Sequence, residues 1–247
     1  MMLLVLGMAA CTPANPFEAY DGIDLVLISD SSGWNVADIY AGLLEEELGV
    51  PVNVHDYANV PNSAKEVLQA LNGESRGNLM MAKLPDVIKE AEIVIFYHNP
   101  EGSDHPDDIS CVPPRFFASD EVSPEIFSTY QTNLESIYEK IFALRGEEPI
   151  TILAFDAYFP YYNWWEEAGI FDQCLTYWEL YNQAIHAAAD RYNIPVAPVF
   201  DTFNGENHDQ VPYDNGLIGP DKEHTTPEGV KLIADLLWDL GIKANAH

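Results

Sequence analysis

The sequence predicts one doubly wound α/β domain, and three observations carry that expectation. Five short runs rich in Val, Ile, Leu and Phe recur along the chain. Segments with a 3.6-residue apolar period separate them. The runs are continuously apolar rather than alternating, as parallel strands covered on both faces should be. Strand–helix alternation over residues 24–240 therefore implies a parallel sheet with helices on both sides.

The first run is residues 24–29 (DLVLIS), and the helix after it places Val36, Ile39, Tyr40, Leu43, Leu44 and Leu48 on one face. The second run is residues 51–55 (PVNVH) and the third is residues 92–97 (EIVIFY). Residues 99–128 are long, rich in Pro and Asp, and without period, which reads as a functional surface loop. A helix through Leu134, Ile137, Tyr138, Ile141 and Phe142 leads to the fourth run, residues 150–155 (ITILAF). The fifth run is residues 195–200 (PVAPVF). Val230, Ile233, Leu236, Leu237 and Leu240 mark the last helix. Thr226, Pro227 and Glu228 supply its N-cap, a proline at its first position, and a negative charge at the positive end of its dipole. No internal repeat or Gly/Ser linker divides residues 23–247, which are expected to be one domain.

Composition narrows the function. Of 247 residues, 11 are Lys or Arg and 40 are Asp or Glu, a formal charge of −29. Nucleic acid is an unsuitable partner, because a phosphate backbone needs clustered Lys and Arg. Docking on anionic lipid through a basic patch is disfavoured for the same reason. With 47% hydrophobic residues the chain has ample core, which excludes global disorder.

Residues 2–10 form an apolar stretch too short to span a bilayer. It matches the core of a secretory signal, and Met8-Ala9-Ala10-Cys11 resembles a bacterial lipoprotein box with Cys11 as the lipidated residue. On that reading residues 1–11 are the signal, residues 12–22 a tether, and the protein is exported, touching membrane only through the anchor. A buried first strand is the alternative. Cys111 and Cys174 then remain, either as a disulfide of an exported protein or as two separate thiols. Neither a zinc ribbon nor a thioredoxin-like site is supported, since no Cys-x-x-Cys occurs.

In doubly wound sheets ligands bind beyond the carboxyl ends of the strands. Ser29-Asp30-Ser31-Ser32-Gly33-Trp34 follows the first run and leads into a helix, whose N–H groups can stabilise an oxyanion. The same residues also suit simple helix capping. Near the other end stands Asp221-Lys222-Glu223-His224, an acid and an imidazole spaced to share one turn. A serine nucleophile needs a base, and the base an orienting carboxylate.

Together these segments resemble the SGNH/GDSL hydrolases, a family of esterases and lipases. The family's Gly-Asp-Ser-Leu block corresponds to Ser29-Asp30-Ser31-Ser32, and its Asp-x-x-His-Pro block to Asp221-Lys222-Glu223-His224-Thr225. The resemblance implies a three-layer, flavodoxin-like α/β/α fold on a five-stranded parallel sheet. It implies Ser31 as nucleophile, His224 as general base and Asp221 as its orienter. It also implies an oxyanion hole from the Ser31 N–H, the Asn99 amide and the backbone of Val60, with Asn59 beside it as the alternative. The departures are Ser29 in place of Gly, a third block reduced to Asn99, and no Gly in the loop 57–63. The implied activity is cleavage of small-molecule carboxylic esters, an acylated carbohydrate or a lipid, with no cofactor. A catalytically silent binding lipoprotein and a carbohydrate O-acyltransferase of the same fold are the alternatives.

Two further segments attract attention. Asp30, Tyr158, Trp164 and Trp165 are candidate substrate contacts; the last three belong to an aromatic stretch after the fourth run that suits either a cleft or a lid packed on the core. His98, Asp104, His105, Asp107 and Asp108 hold metal-ligating groups, but without helix-type ligand spacing, so no metal is expected.

Overall fold

The computed structural model describes residues 21–58, 63–74, 80–98, 111 and 124–242. The five expected strands are β1 (Ile23–Ile28), β2 (Val52–Asp56), β3 (Ile93–Phe96), β4 (Thr151–Phe155) and β5 (Val196–Ala197). They form one parallel sheet in the order β2-β1-β3-β4-β5. β1, β3 and β4 are almost entirely buried, which explains their unbroken apolar runs.

The helices are α1 (Val36–Leu48), α2 (Ala64–Leu71), α3 (Leu84–Glu90), α4 (Glu125–Arg145), α5 (Tyr162–Ala168), α6 (Phe171–Asp190), α7 (Val199–Asn204) and α8 (Pro227–Asp239). Parallel crossovers are right-handed. The step from β1 to β2 runs one way along the sheet and every later step runs the other. That reversal sends α1 to one face, where it packs on α8, and α2, α3, α4 and α6 to the opposite face, where they pack together. The reversal also opens a crevice at the carboxyl ends of β1 and β3, the usual ligand position in such sheets.

Two expectations need correction. The fifth strand is only Val196–Ala197, and Val199 and Phe200 begin α7. Pro198 lacks the N–H that a ladder needs and stands at the helix N-cap instead. The loop expected over 99–128 ends earlier, because α4 already starts at Glu125. Within that loop only residues 111 and 124 are described.

The open question of the two cysteines has an answer: Cys111 and Cys174 form a disulfide, with Cα atoms 5.6 Å apart. Beyond β4, residues 156–161 stay buried outside any strand. Its backbone groups are satisfied by two buried asparagines. Asn182 pairs with both the N–H and the carbonyl of Ala157 (2.7 and 2.9 Å), and Asn204 does the same for Phe159 (3.1 and 2.9 Å). At the amino ends of the strands, Arg145 and Glu92 form a buried ion pair at 3.1 Å.

Candidate active site

Ser31 opens a single 3-10 turn, Ser31–Gly33, placed between β1 and α1. Asp30 caps that turn, accepting the Ser32 N–H at 2.9 Å. The turn folds so tightly that an added Cβ on Gly33 would overlap the Ser29 side chain. Ser29 itself is buried, and its hydroxyl donates to the Asp30 carbonyl at 3.0 Å. Asn35 then adopts the left-handed conformation (φ 63°), which redirects the chain into α1.

The second half of the site is the loop before α8. An antiparallel bridge joins Ile218 and Thr225, and the Gly219 N–H donates to the His224 carbonyl at 2.7 Å. The loop lies against α8 at Gly229, where a Cβ would collide with the Leu217 carbonyl. Thr226 caps α8 as expected, accepting the Gly229 N–H at 3.1 Å. Lys222 takes a left-handed turn (φ 61°) so that Asp221 and His224 face one another.

The two halves meet. Asp221 Oδ2 lies 2.8 Å from His224 Nδ1, and His224 Nε2 lies 3.1 Å from Ser31 Oγ. Asp221 Oδ1 also accepts the N–H groups of Glu223 and His224, each at 3.1 Å. Partial burial pushes the Asp221 carboxyl up, but the His224 imidazole and those two N–H groups together hold it below the usual carboxylate range. The carboxylate is therefore ionised at neutral pH and fixes the tautomer of its partner, leaving Nε2 free to accept a proton from Ser31.

Trp34 was not singled out by the sequence, although it stands in the same block as Ser31. Its indole stacks on the His224 imidazole with centroids 4.7 Å apart and planes 6° apart.

Asn99 and Val60 lie outside the described residues, as do Cys11, Asp104, His105, Asp107 and Asp108. The chain is held firmly up to the residues beside them. The Tyr130 hydroxyl donates to the His98 carbonyl at 2.7 Å, and Tyr97 stacks on Phe155 at 4.4 Å. Asp56 Oδ1 accepts the Ala58 N–H at 2.6 Å, and burial pushes that carboxyl up. Of the proposed substrate contacts, Asp30 has one oxygen committed to capping. Tyr158 and Trp165 are corrections: both are buried in the core. Tyr158 stacks on Phe203, and the Trp165 indole donates to the Cys111 carbonyl at 2.6 Å. Trp164 keeps partial exposure and stacks on Tyr161.

No protein-family model matches the chain, and no curated protein matches it by sequence. Solved structures do. A lipase from a goat rumen metagenome aligns with a TM-score of 0.61 at 16% identity, over 89% of this chain and 98% of that one. An acetylxylan esterase from Geobacillus stearothermophilus, in a catalytic-mutant form, aligns with a TM-score of 0.56 at 14% identity, over 92% and 97%. A protein from Slackia heliotrinireducens designated an SGNH hydrolase aligns with a TM-score of 0.55 at 18% identity, over 89% and 100%. With its five-stranded parallel sheet and flanking helices, the chain has the fold of the SGNH hydrolases.

Proposed function

We propose that this protein is a serine carboxylic ester hydrolase of the SGNH/GDSL family. One observation carries the reading: a continuous relay from Asp221 through His224 to Ser31, joining residues 193 positions apart at hydrogen-bond distance. Random surface polar groups have no reason to line up in this order.

In the proposed reaction His224 Nε2 removes the Ser31 proton as Oγ attacks the ester carbonyl carbon. The resulting oxyanion is stabilised by the Ser31 N–H, with the Asn99 amide and the Val60 N–H as the other expected donors. Collapse of the tetrahedral intermediate breaks the bond to the alcohol oxygen, which leaves with the proton from His224. The acyl group remains on Ser31. A water molecule, deprotonated by His224, then releases the acid and restores the serine.

Export is part of the same reading. The disulfide between Cys111 and Cys174 supports an oxidising compartment. It fits the signal-like residues 2–10 and the lipidation expected at Cys11. Among the described residues, no helix is long and apolar enough to cross a membrane.

The test is hydrolysis of short-chain aryl esters by wild type, Ser31→Ala and His224→Ala, with fluorophosphonate labelling alongside. Activity and labelling in wild type, and neither in Ser31→Ala, are the expected outcome. Equal rates in wild type and Ser31→Ala would overturn the assignment.

A further inference from the structure

We infer that Trp34 is a positioning residue that holds the plane of the His224 imidazole, an inference that rests on the hydrolase reading above. The covalent tether at Cβ and a hydrogen bond at Nδ1 orient an imidazole ring only as firmly as the loop that carries both is held. His224 has this bond to Asp221 and sits in a partly exposed loop. A contact from the nucleophile's own turn adds a restraint on the ring plane that keeps Nε2 on the Ser31 hydroxyl. The indole of Trp34 supplies it, lying parallel to the imidazole at 4.7 Å.

The source of the restraint matters. Trp34 belongs to the turn that carries Ser31, and its N–H donates to the Ser31 carbonyl at 3.3 Å. Nucleophile and ring support therefore move as one body, while Asp221 holds the imidazole from the opposite loop. The left-handed Asn35 that follows is where the chain leaves this turn for α1. Trp34 is 37% exposed. Its partial exposure also means that little core packing is lost when it is replaced.

The experiment compares wild type, Trp34→Leu and Trp34→Phe on a short-chain aryl ester, with Ser31→Ala as the inactive reference. Misorientation of a base costs rate more than binding. Trp34→Leu is expected to lower kcat on the order of 10-fold to 100-fold with KM little changed, and with the melting temperature held. Trp34→Phe, which keeps a flat ring at this position, is expected to recover most of the loss.

A second readout is independent of turnover. In NMR spectra the His224 ring protons of wild type and Ser31→Ala should lie upfield under the indole ring current and move downfield in Trp34→Leu. Wild-type kcat in Trp34→Leu would overturn the proposal, as would unshifted His224 protons in wild type. A wild type inert toward esters would instead sink the hydrolase reading, and the ring-current shift would still report on the stack.

Discussion

The turn that carries the nucleophile is tight where Gly33 meets Ser29, and Gly33→Ala tests it. Gly33 does not have a left-handed backbone, so alanine meets no conformational objection there. The objection is space. A Cβ on residue 33 would lie 2.7 Å from the Ser29 Cβ, where ordinary carbon–carbon contacts are about 3.5–4.0 Å. The Ser29 Cβ cannot rotate away, since it is fixed to the backbone, so the turn that carries Ser31 must shift. Overpacking of this kind costs about 1–3 kcal/mol. For a chain of this length that lowers the melting temperature by roughly 2–12 °C. A shift of about 1 Å at the nucleophile costs on the order of 100-fold in kcat/KM. The assays are thermal unfolding and aryl ester hydrolysis. Because the clash belongs to the pair, Ser29→Gly with Gly33→Ala should recover most of both losses. Wild-type behaviour in Gly33→Ala, or a double variant no better than the single one, would refute the reasoning.

Three further outcomes follow from packing and charge. Arg145→Met strands the buried Glu92 carboxylate, which among the described residues keeps the Asp24 N–H at 2.8 Å, and should cost about 3–5 kcal/mol by urea titration; adding Glu92→Gln should return part of it. Replacing Cys111 and Cys174 together by Ser opens a link with a sequence separation of 63, worth about 4 kcal/mol by loop-closure entropy, and reduction of the wild type should reproduce the loss. The hydrogen bond to Asp156 raises the His186 pKa above its ordinary value, against a smaller effect of burial. The folded state therefore binds this proton more tightly, so the stabilisation is full below about pH 6.5 and fades as pH rises through the folded value. The difference in melting temperature between wild type and His186→Asn should be larger at about pH 5.5 than at about pH 8.5.

What the sequence made legible was what short motifs encode. Ser31, Asp221 and His224 could be found because each sits in a turn whose few residues specify it, and the strands because burial on both faces leaves continuous apolar runs. The misses lie where the deciding partner is distant in the chain. Nothing in the aromatic stretch after β4 says that Trp165 donates to Cys111 rather than facing a ligand. An aromatic ring with one polar group suits both places. The stack of Trp34 on His224 was equally invisible, as was the pairing of Asn182 and Asn204 with the buried segment after β4. The fifth strand was different, for its signal was present: Pro198 inside an apolar run already argued for an early end.

The two halves of the site are each locally rigid, so their relative placement depends on what carries them. Ser31 and Trp34 precede α1, Asp221 and His224 precede α8, and these two helices pack directly on one another. Tyr40 stands in that interface, fully buried, with its ring edge-on to Trp238 at 5.9 Å. Its hydroxyl is buried without a hydrogen-bond partner among the described residues, and burial pushes its pKa far up. The ring and the hydroxyl should therefore make opposite contributions. Tyr40→Phe keeps the ring and removes a buried polar group whose desolvation costs about 1–3 kcal/mol, so stability should hold or rise and activity should be unchanged. Tyr40→Ala removes the ring, should cost about 3–5 kcal/mol, and lets α1 settle against α8 in a new position. Its kcat should fall although the residue touches no group of the relay. If Tyr40→Phe is clearly destabilised, the hydroxyl has a partner in solution; if Tyr40→Ala keeps full kcat, the site does not depend on how these helices pack.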